Sequence, residues 1–510
     1  MSQDLLDTPL MGLAIRDEVI PWTVRHAVEG VQIFGGIGSG KTSGSGRTLA
    51  LKYLNAGFGG LVLTVKPDEK NLWEEYCKET GRSDDLLIVE PGHKNVFNFL
   101  EYESSQADGN SITGNVVDVL KTVMKADEEK GGGGGDDAFW DNALDMLIFH
   151  IIDLCKLAYG NITLRQMYDI VQSLPKQEEG YAGRLATPKN KDLNAFSKAF
   201  ETAQIKVNKL TDEWEDAQTV ERLQELNANN SYDEAVQTEI EDVRMLKLVD
   251  QFFMENLMTL HEKTRSIIDF SFSGFLFRFL RDPVYSLFGS QASTFTPEDS
   301  LKGKIILINL PVKVYQKIGR DCQIMFKYIW QRAMEKRSIN ADSLPVFLWA
   351  DEAQNFLHEH DTHYQATARS SRIATVYISQ NLPNYMANMG GAKSDFKVKS
   401  FLGTLGTKIF HANADIDTNK YASELIGDGN WNTRSTSNTV SGQFSSSQTD
   451  SIRIDRLIRP EWFAGLKTGG SGNNFIVEGY MHLQGNTLKE NSNYIKINFN
   501  QKFTIKTSTP

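Results

Sequence analysis

The sequence predicts an α/β protein: a parallel sheet flanked by helices, with an all-α domain inserted into it. Two observations carry this. Short apolar runs alternate with helical stretches over roughly the first hundred residues. Strand signals then nearly vanish from about residue 106 to 263 and return at Ile305. Strands separated by helices pair in parallel, buried on both faces. An interruption of that length is too long for a connecting loop and reads as a folded unit.

The elements follow in order. Val31–Phe34 (VQIF) is a short apolar strand that runs into the glycine-rich stretch Phe34–Gly44 (FGGIGSGKTSG). Thr42–Ala56 reads as a helix, Gly60–Val65 as a buried strand, Asn71–Thr80 as a helix and Leu86–Val89 as a strand. Within the interruption Asp192–Thr211 and Ala235–Leu260 have helical spacing, and Glu128–Asp137 (EEKGGGGGDD) reads as a flexible loop. Strands resume at Ile305–Leu310 and Val346–Ala350, with a helix from Val314 to Lys336 between them, and continue at Thr375–Ile378 and Lys408–His411. Asn432–Thr449, rich in Ser, Thr and Asn, is expected to be a mobile loop. The last forty residues or so alternate like a hairpin or small edge sheet (NFIVEGYMHL, YIKINF).

A chain of 510 residues has room for two or three domains. With 40% hydrophobic and 23% charged residues the composition is that of a soluble globular protein. No apolar run approaches the ~18 residues of a membrane span, and the acidic start MSQDLLDTPLMG is unlike a signal peptide. A cytoplasmic protein is expected. Cys77, Cys155 and Cys322 are too few and too scattered for a disulfide framework. A net charge of −11 gives no bulk attraction to nucleic acid, although a locally basic channel remains compatible with it.

Gly35-Gly36-Ile37-Gly38-Ser39-Gly40-Lys41-Thr42 matches G-x-x-x-x-G-K-[ST] at every fixed position, after a strand and at the start of a helix. Glycines let successive N–H groups converge on β- and γ-phosphates. The helix N-terminus favours the anion. Lys41 reaches the terminal phosphates and the Thr42 hydroxyl binds Mg²⁺, with Ser43 next in line. A glycine-rich turn is the plainer alternative, but the strand–loop–helix context favours phosphate.

Hydrolysis also needs carboxylates at a strand end. Val346–Ala350 is followed by Asp351-Glu352, Asp351 to hold Mg²⁺ and Glu352 to polarise water. Further on, Ala368–Gln380 (ARSSRIATVYISQ) puts Arg369 and Arg372 before a strand that ends in Gln380. An arginine there can stabilise transition-state charge, in cis or across a subunit interface, and Gln380 can sense the γ-phosphate; a solvated helix end is the alternative.

With these residues in view, the chain resembles the coupling ATPases of bacterial conjugation and type IV secretion, of the FtsK- and HerA-like branch of motors. The resemblance rests on Gly35–Gly44, DEAQNF (Asp351–Phe356) and ARSSRIATVYISQN (Ala368–Asn381), with Phe139–Asn142 and Asn309–Pro311 in support. It implies a RecA-like P-loop NTPase domain carrying the helical insertion, assembled as a hexamer around DNA, with ATP and Mg²⁺ at each site. By motif position Arg369 matches the inter-subunit arginine better than Arg372, and Gln380 the polar residue of the third motif. The expected organisation is 1–105, the first part of the nucleotide-binding domain; 106–263, the all-α insert; 264–431, the second part; and 432–510, the loop and C-terminal strands.

Membrane-bound coupling proteins carry transmembrane helices ahead of the motor domain. Here the first strand of the nucleotide site starts near residue 31, so a member without an intrinsic span is expected, recruited by a relaxase-like or membrane-channel partner or serving a mobile element or phage defence. An ATPase for protein export and a slowly hydrolysing nucleotide switch are the competing functions. Four other features have bland readings beside functional ones. His358-x-His360-x-x-His363 fits no established zinc spacing. Lys66-Pro67-Asp68 lies at a strand end, as a ligand-side segment or an ordinary turn. Phe270–Phe288 reads as core or interface, and Lys121 and Lys125 as a solvated helix face that could meet DNA.

Overall fold

The computed structural model describes residues 5–15, 18–105, 112–128, 137–175, 194–358, 360–389, 394–441, 443–485, 488 and 492–505. The chain divides into two compact units, Met1–Ile88 with Glu128–Gly132 and Pro297–Pro510, and Val89–Asp127 with Gly133–Thr296.

The first unit is built on strands β1 (Pro9–Ile15), β2 (Glu18–Thr23), β3 (Val31–Phe34), β4 (Gly59–Leu63), β5 (Leu86–Val89), β6 (Ile305–Ile308), β7 (Val346–Ala350), β8 (Ile373–Ser379), β9 (Thr407–Phe410), β10 (Asp428–Ser441), β11 (Gln443–Arg456), β12 (Ile476–Leu483) and β13 (Tyr494–Asn500). Nine of them form one sheet in the order β13-β12-β9-β3-β8-β7-β4-β6-β5. From β9 to β6 the neighbours are parallel. The C-terminal strands extend this sheet antiparallel, β12 on β9 and β13 on β12.

Burial on both faces is why the strands read as unbroken apolar runs rather than alternating ones. In β3, Val31 and Ile33 belong to a core shared with Leu49, Tyr53, Trp73 and Trp349. Phe34 on the same strand stacks instead on Phe410, 5.9 Å between ring centroids, and meets Tyr385 edge-on. Gln32 accepts a hydrogen bond from the Tyr385 hydroxyl at 2.9 Å, so the one polar residue of the strand is satisfied.

Asn432–Thr449 departs from expectation. The segment lies in the antiparallel ribbon β10–β11, paired from Asp428↔Arg456 to Ser441↔Gln443. Its Ser, Thr and Asn content suggested disorder because it has no apolar face to bury; cross-strand pairing of the backbone organises it instead, aided by Arg434 on Asp450 at 2.8 Å.

The second unit is helical. Its edges lie at Val89 and Thr296 rather than at 106 and 263, because Phe97 packs on Phe295 and Phe99 on Phe279. Caps set several helix starts: Thr163 and Gln166 form a capping box before Leu164–Gln172, and Asn194 caps Ala195–Asp216. Phe139–Asn142 falls within the helix Asp137–Tyr159, Lys121 pairs with Asp145, and residues 129–136 of the glycine run lie outside the described residues. Phe270 and Phe277 are exposed while Phe272, Phe275, Phe279 and Phe288 are buried, so the aromatic stretch is mainly core. All three cysteines are buried and free. Among the described residues no single helix is long and apolar enough to cross a membrane.

A buried ion pair ties the segment after β7 to the helix Val312–Glu335. Lys327 Nζ donates to both Asp361 oxygens at 2.7 and 2.6 Å and to the Phe356 carbonyl at 2.7 Å. Gln331, Tyr377 and the His358 backbone N–H complete the Asp361 shell. Burial pushes the Asp361 carboxyl up, but the Lys327 charge and these hydrogen bonds outweigh it and hold the group below its ordinary range; His358 adds to this only once protonated. His358 itself is pushed down to about 3 by burial.

Asp361→Asn strands the Lys327 charge in the core and is expected to cost about 3–5 kcal/mol in urea unfolding. Lys327→Met with Asp361→Leu should recover most of that loss, because neither charge remains. Both Asp361 and His358 have folded-state values below their unfolded ones. His358 therefore stabilises fully above about pH 6.5 and Asp361 above about pH 3.9, each losing its contribution as the pH falls further.

Candidate functional site

Parallel pairing brings the carboxyl ends of four strands to one edge. Phe34 of β3 lies opposite Ser379 of β8, and Ala350 of β7 lies between Tyr377 of β8 and Leu63 of β4. The segments that leave these ends therefore emerge side by side: Gly35–Thr42, Asp351-Glu352, Gln380 and Lys66. Sheets of this kind place ligands at that edge.

Gly35 and Gly36 form the base of the glycine loop, donating to the Ser379 carbonyl at 3.3 Å and to the Ala412 carbonyl at 2.9 Å. Gly38 and Gly40 have φ of +71° and +81°. A Cβ at Gly40 would also lie 2.5 Å from Val477 Cγ2, so position 40 excludes a side chain on two counts. Gly40→Ala is expected to destabilise the fold by about 1–3 kcal/mol and weaken nucleotide binding, checked by thermal melting and a fluorescent-nucleotide titration.

The helix expected from Thr42 opens with a π turn, Thr42–Gly46, in which the Gly46 N–H reaches the Lys41 carbonyl at 2.9 Å. Regular α-helix follows over Arg47–Asn55. Behind the loop, His411 joins Ser45 (Oγ to Nε2, 2.7 Å) to the Glu478 carbonyl (from Nδ1, 2.8 Å). A carbonyl can only accept, so the neutral ring carries its proton on Nδ1 and accepts from Ser45.

The loop opens on a cavity of about 890 Å³ lined by Gly38, Ser39, Gly40, Lys41, Thr42 and Ser43 together with Lys66, Glu69, Asp351, Glu352 and Gln380. This is within the range of small-molecule sites. Thr42 Oγ1 donates to Asp351 Oδ2 at 2.7 Å. Burial raises the Asp351 carboxyl, against the pull of Lys66, Thr42 and Lys41. Glu352 is mostly buried and has the left-handed φ of +51°, a strained backbone for a residue with a side chain. Gln354 Nε2 donates to its Oε2 at 2.9 Å and Gln380 Nε2 to its Oε1 at 3.2 Å. Burial pushes the Glu352 carboxyl up, but these hydrogen bonds with the Lys41 and Lys66 charges carry it below the usual value, so it is ionised at neutral pH.

The donor set suits a magnesium–nucleotide. Thr42 and Asp351 present hard oxygens on facing segments, and Mg²⁺ takes few protein ligands besides phosphate and water. Ser39 Oγ is buried in the wall of the glycine loop with no hydrogen-bond partner among the described residues. No group of three or more His, Cys, Asp or Glu side chains among the described residues is placed to hold a metal. In the histidine run His358 is buried and His360–Ala368 is helical.

Arg369 is not among the cavity-lining residues. Its Nη1 lies 3.6 Å from Glu29 Oε1, ahead of β3 and β8, at their amino ends. Arg372 is structural: it has φ +49° and donates to the carbonyls of Ala341 and Ser343.

Residues 345–468 match the family described as the TraM recognition site of TraD and TraG. That stretch spans β7 to the segment before β12 and holds Asp351, Glu352, Arg369 and Gln380. Over those residues the chain is similar to TraD and TraG. The bacterial conjugative coupling protein TrwB, in an unbound monoclinic form, superposes with a TM-score of 0.60 at 12% identity, over 98% of this chain and 90% of TrwB. TrwB with the non-hydrolysable ATP analogue ADPNP gives 0.58 at 12% identity over 100% and 92%. TrwB with ADP and Mg²⁺ gives 0.57 at 13% identity over 99% and 91%. At that identity the likeness establishes the fold: a RecA-like P-loop architecture with an all-α domain. No curated protein sequence matches this chain.

Proposed function

We propose that this chain is the ATP-hydrolysing motor of a DNA-transfer coupling system, acting as a homo-hexameric ring. The observation that carries the reading is the convergence of Lys41, Thr42, Asp351, Glu352 and Gln380 on one cavity at the strand ends. The match to the TraM recognition site of TraD and TraG supports a place in conjugative transfer, and with it DNA and a relaxase-like or membrane-channel partner. The TrwB complexes with ADPNP and with ADP and Mg²⁺ support ATP and magnesium as ligands.

In this reading the loop amides and Lys41 hold the β- and γ-phosphates. Thr42 and Asp351 hold Mg²⁺, which when bound neutralises charge on those phosphates. Glu352 accepts a proton from water as its oxygen adds to the γ-phosphorus and the bond to ADP breaks. Gln380, anchored to Glu352, reports the phosphate to β8. Arg369 serves the cavity of a neighbouring subunit.

ATPase rate with and without DNA, measured alongside oligomeric mass with ATP, tests the reading. Turnover several-fold higher with DNA, from a hexamer, is expected. Turnover indifferent to DNA but raised by a secretion partner would favour protein export, and binding without turnover a nucleotide switch.

A further inference from the structure

Lys66 stands just beyond β4, in the cavity wall, with a role that neither the glycine loop nor the Asp-Glu pair requires. Its Nζ lies 3.7 Å from Glu352 Oε1, with one third of the side chain exposed. At that distance the contact is an ion pair without a hydrogen bond, so the three ammonium donors are left for another acceptor. The turn that aims it is pinned. Pro67 disfavours helical backbone at Lys66, the Val65 N–H donates to Glu69 Oε2 at 2.7 Å, and the Val65 carbonyl accepts from the Lys313 N–H at 3.0 Å.

The surroundings say what that acceptor is. Asp351, Glu352 and Asp68 all contribute to the same cavity; Glu69 lines it too, but burial pushes its carboxyl up to about 8, which leaves it largely neutral at pH 7. A triphosphate entering beside them brings negative charge against negative charge, most severely at its γ end, which lies nearest the hydrolytic carboxylates. Lys41 rises from the loop side; Lys66 is the cation placed against the Glu352 carboxylate, with Lys313 and Arg47 also in the cavity wall.

Resting on the nucleotide reading of this cavity, we propose that Lys66 is a second lysine ligand of the γ-phosphoryl group, its ammonium set between that phosphate and the Glu352 carboxylate. It lets the base approach the phosphorus by screening their repulsion, and it distinguishes triphosphate from diphosphate.

The test compares affinities for a non-hydrolysable ATP analogue and for ADP, both with Mg²⁺, in wild type, Lys66→Gln and Lys66→Arg. Lys66→Gln is expected to lose about 10- to 100-fold in triphosphate affinity while ADP affinity stays within about twofold. Lys66→Arg, which keeps the charge, should recover most of the loss. Equal losses for both nucleotides, or no loss for either, would overturn the assignment while leaving the nucleotide site intact. A wild-type protein that bound neither nucleotide would overturn the cavity reading itself. Thermal melting of each variant identifies a folding defect, which would appear as loss of both nucleotides.

Discussion

Glu352→Gln is expected to lower ATP turnover by roughly 10²–10⁴-fold while triphosphate affinity stays at or above the wild-type level. The substitution keeps the shape of the side chain and removes the one property a base needs. Wild-type Glu352 is ionised at neutral pH because hydrogen bonds from Gln354 and Gln380 and the charges of Lys41 and Lys66 outweigh its burial. Its own titration therefore sets the acid limb of activity below the ordinary carboxylate range, and turnover should not vary between pH 6 and 8 on its account. The left-handed backbone at position 352 fixes where the carboxylate stands, so Glu352→Asp, one methylene shorter, should also lose most activity. Rapid-quench measurement of the chemical step with parallel equilibrium binding checks both. If Glu352→Gln lost binding and turnover together, Glu352 would be a binding or structural residue instead of the base.

The legible part of this site was the part whose chemistry is local in sequence. Ile37–Thr42 of the glycine loop is a run of consecutive residues that lines one cavity wall, and Asp351-Glu352 follows a strand because strand ends aim side chains at the cavity. Supporting residues carry no such local mark. Gln354 is recognisable only once the turn after β7 folds it back onto Glu352, and Lys66 reads as turn or ligand alike until β4 is known to lie beside β7. The packing of Val477 against Gly40 depends on β12 joining the sheet through β9. The strand alternation that gives β12 and β13 away says nothing about which edge they extend. The ribbon β10–β11 is hidden in the sequence for the converse reason, since low hydrophobicity argues against a core and says little about backbone pairing.

Arg369 makes the sharpest case for an assembly. It precedes β8 and pairs with Glu29, which precedes β3, whereas the glycine loop follows the other end of β3. Four strand residues at roughly 3.3 Å each separate the two ends, more than a side chain spans while keeping its own backbone in place. An arginine needed for hydrolysis from this position has to act on another subunit. Arg369→Ala is therefore expected to reduce turnover by about 10³-fold or more, with nucleotide binding by a single chain unchanged. Mixing supplies the decisive measurement. Lys41→Ala disables a subunit's own cavity but leaves its Arg369, and Arg369→Ala does the reverse. In a ring with head-to-tail interfaces, random co-assembly pairs an intact cavity with an intact arginine at about one interface in four, so two inactive proteins should yield measurable ATPase together. Activity that stayed at the level of the separate variants in verified mixed rings would return Arg369 to its own subunit, with Glu29 as its structural partner.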